Sequence, residues 1–217
     1  MSKIKNNIQN SIIVLLITSF YSFSQESDLQ SWYVFSVNKK IVKKTDLAIK
    51  SGLRLRENST LYSKSFFDVR IKRKLSKKFT LGAGYRHAIN RDIRFNFSVA
   101  HRFYSDINYK NKLYKRISYS IRNRWQKQGS MDSFKTTLRQ KFSLMYNIRK
   151  TKLKPEISTE YFFHFLDGIN KLRSTLSVSY PITSHIGLDL AYRIQQEFYV
   201  RNPQTLFIFE GRISYDL

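Results

Sequence analysis

Cysteine is absent from the 217 residues, which excludes disulfides, thiolate metal sites, cysteine nucleophiles and an N-terminal lipidated cysteine. Glycine is scarce, and the single Gly-x-Gly, Gly82-Ala83-Gly84, lies inside a strand pattern with no helix after it, so no dinucleotide fingerprint or phosphate loop is present. Those glycines read instead as sites where a neighbouring ring or backbone packs closely. After the first two dozen residues no apolar run approaches the roughly 20 needed for a spanning helix. Acidic residues are few, 15 against 39 basic, for a formal charge of +24. Such an excess ordinarily points to nucleic acid or to an anionic membrane surface.

What is present is alternation. Leu47, Ile49, Leu53 and Leu55 oppose Lys50, Gly52, Arg54 and Arg56, and Ile117, Tyr119 and Ile121 oppose Arg116, Ser118, Ser120 and Arg122. Side chains of a strand point alternately to its two faces, so a period of two sorts the chain into an oily face and a charged face. Eleven candidate strands follow, at 32–39, 45–56, 64–74, 79–89, 92–104, 112–127, 134–148, 153–165, 171–180, 185–197 and 205–217. Several reach the 9 to 11 residues that cross a bilayer on a tilt. Ahead of them, Lys3 and Lys5, an apolar run from Ile12 and the small residues Ser22 and Ser24 describe a secretory signal over residues 1–24, leaving 25–217 as one exported domain.

Compact turns at 76–78, 149–152 and 181–184 and longer polar connections at 57–63, 127–133, 166–171 and 201–204 place the former on the periplasmic side of an outer-membrane barrel whose C-terminus is periplasmic. Bacterial single-chain barrels use even strand numbers, so the expectation is an all-β, closed antiparallel transmembrane β-barrel of 10 or 12 strands. Ten results if the Trp32 segment is a plug or cap, and twelve if two strands are merged, with residues 105–112 the weakest boundary.

Three features choose which face is outside. The apolar set is too large for a narrow interior. The opposite face mixes arginine with small residues such as Gly82, Gly84, Ser98, Ala100, Ser118 and Ser177. Aromatics recur near strand ends, among them Tyr104, Trp125, Tyr146, Phe165, Tyr180, Phe198, Tyr199 and Tyr215, as suits a membrane interface. An arginine facing lipid at the midplane costs about 2–4 kcal/mol, so arginines belong inside.

The expected interior charge network is Arg54, Arg70, Arg86, Arg102, Arg122, Arg124, Arg139, Glu156, Glu160, Arg173, Asp189, Arg193, Glu197, Glu210 and Arg212, with Asp68 and Asp216 on the same face. Buried charges persist only when partnered, so the network reads first as a filling that holds the barrel's shape. A basic passage selecting small anionic solutes is the functional alternative.

Catalysis has thin support. His87 and His101 share the oily row and His185 sits at a turn, which leaves His164 facing inward. Ser158 is six residues away on the same strand, roughly 20 Å at 3.3 Å per residue, so the remaining partners are Ser174 or Ser177. An outer-membrane enzyme acting on lipid or lipopolysaccharide acyl chains is thus the runner-up. No metal spacing or cofactor motif occurs. Nucleic acid is not an expected partner, because basic and aromatic residues lie on opposite faces and the chain is exported. Membrane lipid, lipopolysaccharide and the barrel-assembly machinery are.

The order of Gly84-Tyr85-Arg86, His101-Arg102-Phe103, Arg122-Asn123-Arg124-Trp125-Gln126, Leu138-Arg139, Lys154-Pro155-Glu156, Glu160-Tyr161-Phe162, Arg173 and Ala191-Tyr192-Arg193 resembles the domain-of-unknown-function 2490 family of Gram-negative exported proteins. The resemblance spans nearly all of the chain from Trp32. It implies an outer-membrane barrel and supplies no activity, ligand or catalytic residue. The closing Tyr215-Asp216-Leu217 departs from the terminal aromatic common in such barrels.

Overall fold

Alternating polarity over a dozen residues fixes strand register, since a one-residue slip would turn every side chain to the wrong face. In a computed structural model, which describes residues 26–165, 168–200 and 202–217, the chain forms β1 (Glu26–Val42), β2 (Thr45–Arg56), β3 (Leu61–Lys74), β4 (Phe79–Arg91), β5 (Phe97–Lys112), β6 (Ile117–Ser130), β7 (Ser133–Tyr146), β8 (Lys154–His164), β9 (Gly168–Pro181), β10 (Ile186–Glu197) and β11 (Gln204–Asp216). Each strand pairs with the next, and β1 pairs with β11 to close a barrel. The expected signal over residues 1–24 lies outside the described residues.

Eleven strands replace the expected 10 or 12, and the barrel is not wholly antiparallel. An odd number of up-and-down strands brings the first and last to the seam pointing the same way, and β1 and β11 indeed pair in parallel without a register break from Glu26↔Gln204 to Asn38↔Asp216. The Trp32 segment is therefore a wall strand, neither plug nor cap. The boundary expected at 105–112 is also strand. Ser105, Ile107 and Tyr109 pair with Ala83, Leu81 and Phe79 on the outer face, while Asp106 and Asn108 pair with Gly82 and Thr80 on the inner one.

Connection lengths do not separate the two ends as expected, because the strands run on into the segments read as long loops, β6 to Ser130 and β7 from Ser133. Charge does separate them. Lys43, Lys44, Lys77, Lys78, Lys115, Arg116, Lys150 and Lys152 gather at the end where β11 finishes, here called the lysine-rich end. Glu57, Asp92 and Asp132 stand at the other, distal end, where β1 begins.

The distribution of apolar surface is inverted relative to a water-soluble domain. Half or more of the surface of Tyr33, Phe35, Phe67, Phe103, Trp125, Ile157, Leu176, Leu190 and Phe209 is exposed, whereas the buried apolar cluster is confined to Trp32, Leu206 and Ile208. Of the large side chains that are fully buried, Ile208 is apolar, whereas Asp68 and Asp106 are charged. Tyr146, Tyr180 and Tyr215 are exposed toward the lysine-rich end, beside Tyr109 and Tyr119, whose rings lie 5.9 Å apart. Tyr104 does not belong to that outer set. It faces inward, buried, and its hydroxyl donates to Asp68 at 2.9 Å.

Candidate functional site: the charged interior

Inward positions of successive strands stack their side chains into one continuous network, and its unit is a carboxylate shared by two or three arginines. Asp106 on β5 accepts two parallel bonds from Arg124, at 2.6 and 2.9 Å, and a third from Arg70. Glu160 on β8 accepts from Arg122 at 2.6 Å and from Arg139 at 2.8 Å, with Arg173 at 3.6 Å. Glu210 on β11 binds Arg193 and Arg212, each at 2.8 Å. Asp68 takes Arg86 at 2.9 Å together with the Tyr104 hydroxyl. Arginine's planar fork suits such sharing, and the carboxylates survive burial because guanidinium groups, and for Asp68 a hydroxyl as well, donate to them. Toward the rims the pairs become single: Lys141 with Glu156 and Lys171 with Glu197, both at 2.8 Å.

Glycines on the inner face make room for large rings. Gly52 lies flat beneath the ring of Phe66, its direct cross-strand partner, and Gly84 beneath that of Tyr104. A Cβ at either position would enter the ring.

Two chambers of about 400 Å³ each occupy the interior. The lysine-rich chamber is lined by thirteen of the fifteen residues of the expected network, and Arg102 and Glu197 line the distal chamber. Among the described residues, Glu197 is the one carboxylate on the distal lining, against Arg54, Lys64, Arg102, Lys135, Lys171 and Arg173. Arg102 is held by a neutral partner, donating to Gln128 Oε1 at 2.7 Å.

Trp32, Arg54 and Arg173 line both chambers and mark the division between them. The Arg54 guanidinium lies 3.6 Å from the Trp32 ring centre and 5.7 Å from that of Phe66, on whose ring Arg86 stacks at 3.9 Å. Arg173 lies 5.3 Å from Trp32 and 5.0 Å from Phe162, on whose ring Arg139 stacks at 4.4 Å. Cations and ring faces thus alternate across the barrel as a rung, each contact within the range where the ring quadrupole attracts a cation.

Sequence reasoning missed Asp106, which fell in an expected connection, and the inward aromatics Trp32, Phe66, Tyr104 and Phe162. Strand parity could have found all five once β5 was extended and Trp32 placed in the wall. His164 faces inward, with Nε2 3.3 Å from Thr137 Oγ1. It does not meet either candidate serine. Ser174 is exposed, and Ser177 pairs with Glu156, far along β8 from His164. Its hydroxyl donates to the Glu156 carbonyl at 3.5 Å. Among the described residues no three His, Asp or Glu side chains converge as a metal site.

Comparison with known proteins places this geometry in a wider group. The family described as "Protein of unknown function (DUF2490)" matches residues 29–205. No curated protein matches the chain in sequence. Two solved structures share its fold. One is the KdgM porin in complex with disordered oligogalacturonate, with TM-score 0.51 at 9% identity, covering 77% of this chain and 91% of that one. The other is the NanC porin, with TM-score 0.52 at 14% identity, covering 82% and 93%.

Proposed function

The chain belongs to the DUF2490 family, whose description leaves activity open, and on that footing we propose that it is an outer-membrane barrel whose basic interior gives small anionic solutes a passive path. The observation that carries the reading is the charge imbalance of the two chambers, where arginines and lysines exceed carboxylates and Arg54, Lys64 and Arg102 have no carboxylate within ion-pair range among the described residues. An interior built only to fill space would be expected to balance its charges, because each unpartnered buried cation destabilises the fold.

The inverted surface supports a membrane setting. Large apolar side chains half exposed around a closed wall form a patch far beyond what water-soluble monomers show, and lipid would cover it. Closure leaves no strand edge, as a bilayer demands. The exposed tyrosines toward the lysine-rich end suit a headgroup interface. In this reading residues 1–24 direct export and are removed, the lysine-rich end faces the periplasm, and lipid, lipopolysaccharide and the assembly machinery are the remaining partners. The porin likeness supports the barrel, and the solute class rests on the interior charge alone. The acyl-chain enzyme gains no support from Ser174, which is exposed, or from Ser177, which pairs with Glu156.

Planar-bilayer recording of the refolded barrel tests this. Anion-selective conductance, with selectivity reduced by Arg102→Glu, is the expected result. Silence from protein that shows the heat-modifiable gel shift of a folded barrel would refute passage and leave the network as a structural filling.

A further inference from the structure

The four arginines of the dividing rung are not held alike. Arg86 is tied to Asp68, Arg139 donates three bonds to Glu160, and Arg173 donates to Gln195 Oε1 with Glu160 close by. Arg54 has only ring faces. Among the described residues no carboxylate lies in ion-pair range of it, and its Nε lacks a hydrogen-bond partner. Its direct cross-strand neighbour is Lys64, another cation that lines the distal chamber. Trp32, by contrast, is anchored to its own strand through an indole N–H donated to Gln30 Oε1 at 3.0 Å. The rung therefore has one cation held by ring faces alone, placed where the two chambers adjoin.

We propose that Arg54 and Trp32 form an anion-operated gate. An oxyanion of carboxylate or phosphate type entering the distal chamber meets Arg54, Lys64 and Arg102 together. Its charge and fork-matching oxygens offer Arg54 what the indole face cannot, two charge-assisted hydrogen bonds. As the guanidinium turns to the anion it leaves the Trp32 ring, and the gap between ring and wall joins the two chambers. Chloride, with no pair of oxygens to bridge the fork, is a weak key. This rests on the passage reading above and adds to it a conformational step and a selectivity residue.

The chain has two tryptophans, and Trp125 is on the outer face, 56 % exposed, so Trp125→Phe leaves Trp32 as the sole reporter. In that background, inorganic phosphate titrated against chloride at constant ionic strength should give a saturable change in Trp32 emission, with a several-fold rise in bilayer conductance over the same range. Arg54→Gln should abolish both responses. Trp32→Ala should conduct several-fold more than the parent and ignore phosphate, with Trp32→Leu as the bulk-preserving alternative if the alanine variant does not fold. Conductance that neither phosphate nor any of these variants alters overturns the gate while leaving passage intact. An emission change with silent membranes in every folded variant overturns passage and gate together. Emission indifferent to phosphate, with conductance present, overturns the gate alone.

Discussion

Replacing Glu160 by glutamine should be among the most damaging single changes in this barrel. The side chain is 4 % exposed and serves Arg122 at 2.6 Å, Arg139 at 2.8, 2.9 and 3.1 Å, and Arg173 at 3.6 Å. Glutamine keeps the shape and one acceptor oxygen. It removes the negative charge and aims an amide N–H₂ at a guanidinium. Breaking a buried pair by removing one partner costs about 3–5 kcal/mol, and here three cations lose their counter-charge at once. Glu160 lines a chamber rather than a dry core, so the lower end, about 3 kcal/mol, is expected, or about a hundredfold in the folding equilibrium. The measurement is urea unfolding of the refolded barrel in micelles, read as a lower midpoint at unchanged slope. Glu156→Gln is the matched control. It breaks one lysine contact near a rim, with both side chains about a fifth exposed, and should cost no more than about 1 kcal/mol. Pairing Glu160→Gln with Arg139→Met should return part of the loss, since one stranded cation is then gone. Equal costs for Glu160→Gln and Glu156→Gln would refute the shared-carboxylate account.

Three further outcomes follow from separate parts of the structure. Gly84→Ala should displace the Tyr104 ring and break its bond to Asp68, lowering stability by about 1–3 kcal/mol as other overpacking changes do, while Gly211→Ala, with nothing within 4 Å, should be neutral in the same urea assay. In the β4–β5 turn, backbone N–H groups of Asn96 and Arg94 and the Asn96 amide donate to Asp92, and these bonds hold its carboxyl below the ordinary range. A depressed folded value contributes stability above the unfolded value near 3.9, lost as pH falls through the folded one. Asp92→Ala should therefore destabilise at pH 7 and match the parent at strongly acid pH, with carboxyl NMR reporting the midpoint. The absence of cysteine allows single-cysteine mapping. In whole cells Ser27→Cys, at the distal end of β1, should react with an impermeant maleimide while Lys43→Cys should not, and the reverse pattern would invert the proposed orientation.

Much of the wall was legible because a two-residue period is read along one strand without knowledge of its neighbours. Leu53 and Arg54 declare their faces by local alternation, and the structure places Arg54 against the chambers and Leu53 outside. Closure was not legible by the same means. Whether β1 joins the wall depends on what lies across the seam, and the residues of β1 alternate equally well as a plug strand or a wall strand. The even-number rule then pushed the count away from the eleven strands the alternation had already marked. The β5–β6 boundary failed for another reason. Asp106, Asn108, Lys110 and Asn111 look like a polar loop, and only the pairing with β4 shows that Asp106 is polar because it is inside. Tyr104 misled in the same way, since an aromatic near an expected strand end suits a membrane interface as well as a barrel core.

The inward aromatics explain how so basic an interior holds together. With too few carboxylates to partner every arginine singly, the barrel divides the work. Carboxylates tie down Arg70, Arg86, Arg122, Arg124, Arg139, Arg193 and Arg212, neutral amides hold Arg102 and Arg173, and ring faces take Arg54. Glycines opposite Phe66 and Tyr104 are what allow those rings to lie against the wall and present a face to the guanidinium groups. An electrically balanced interior would need none of these substitutes. That they recur at the level where the chambers meet, and that Arg54 is left with rings alone, is what an interior kept short of anions would require.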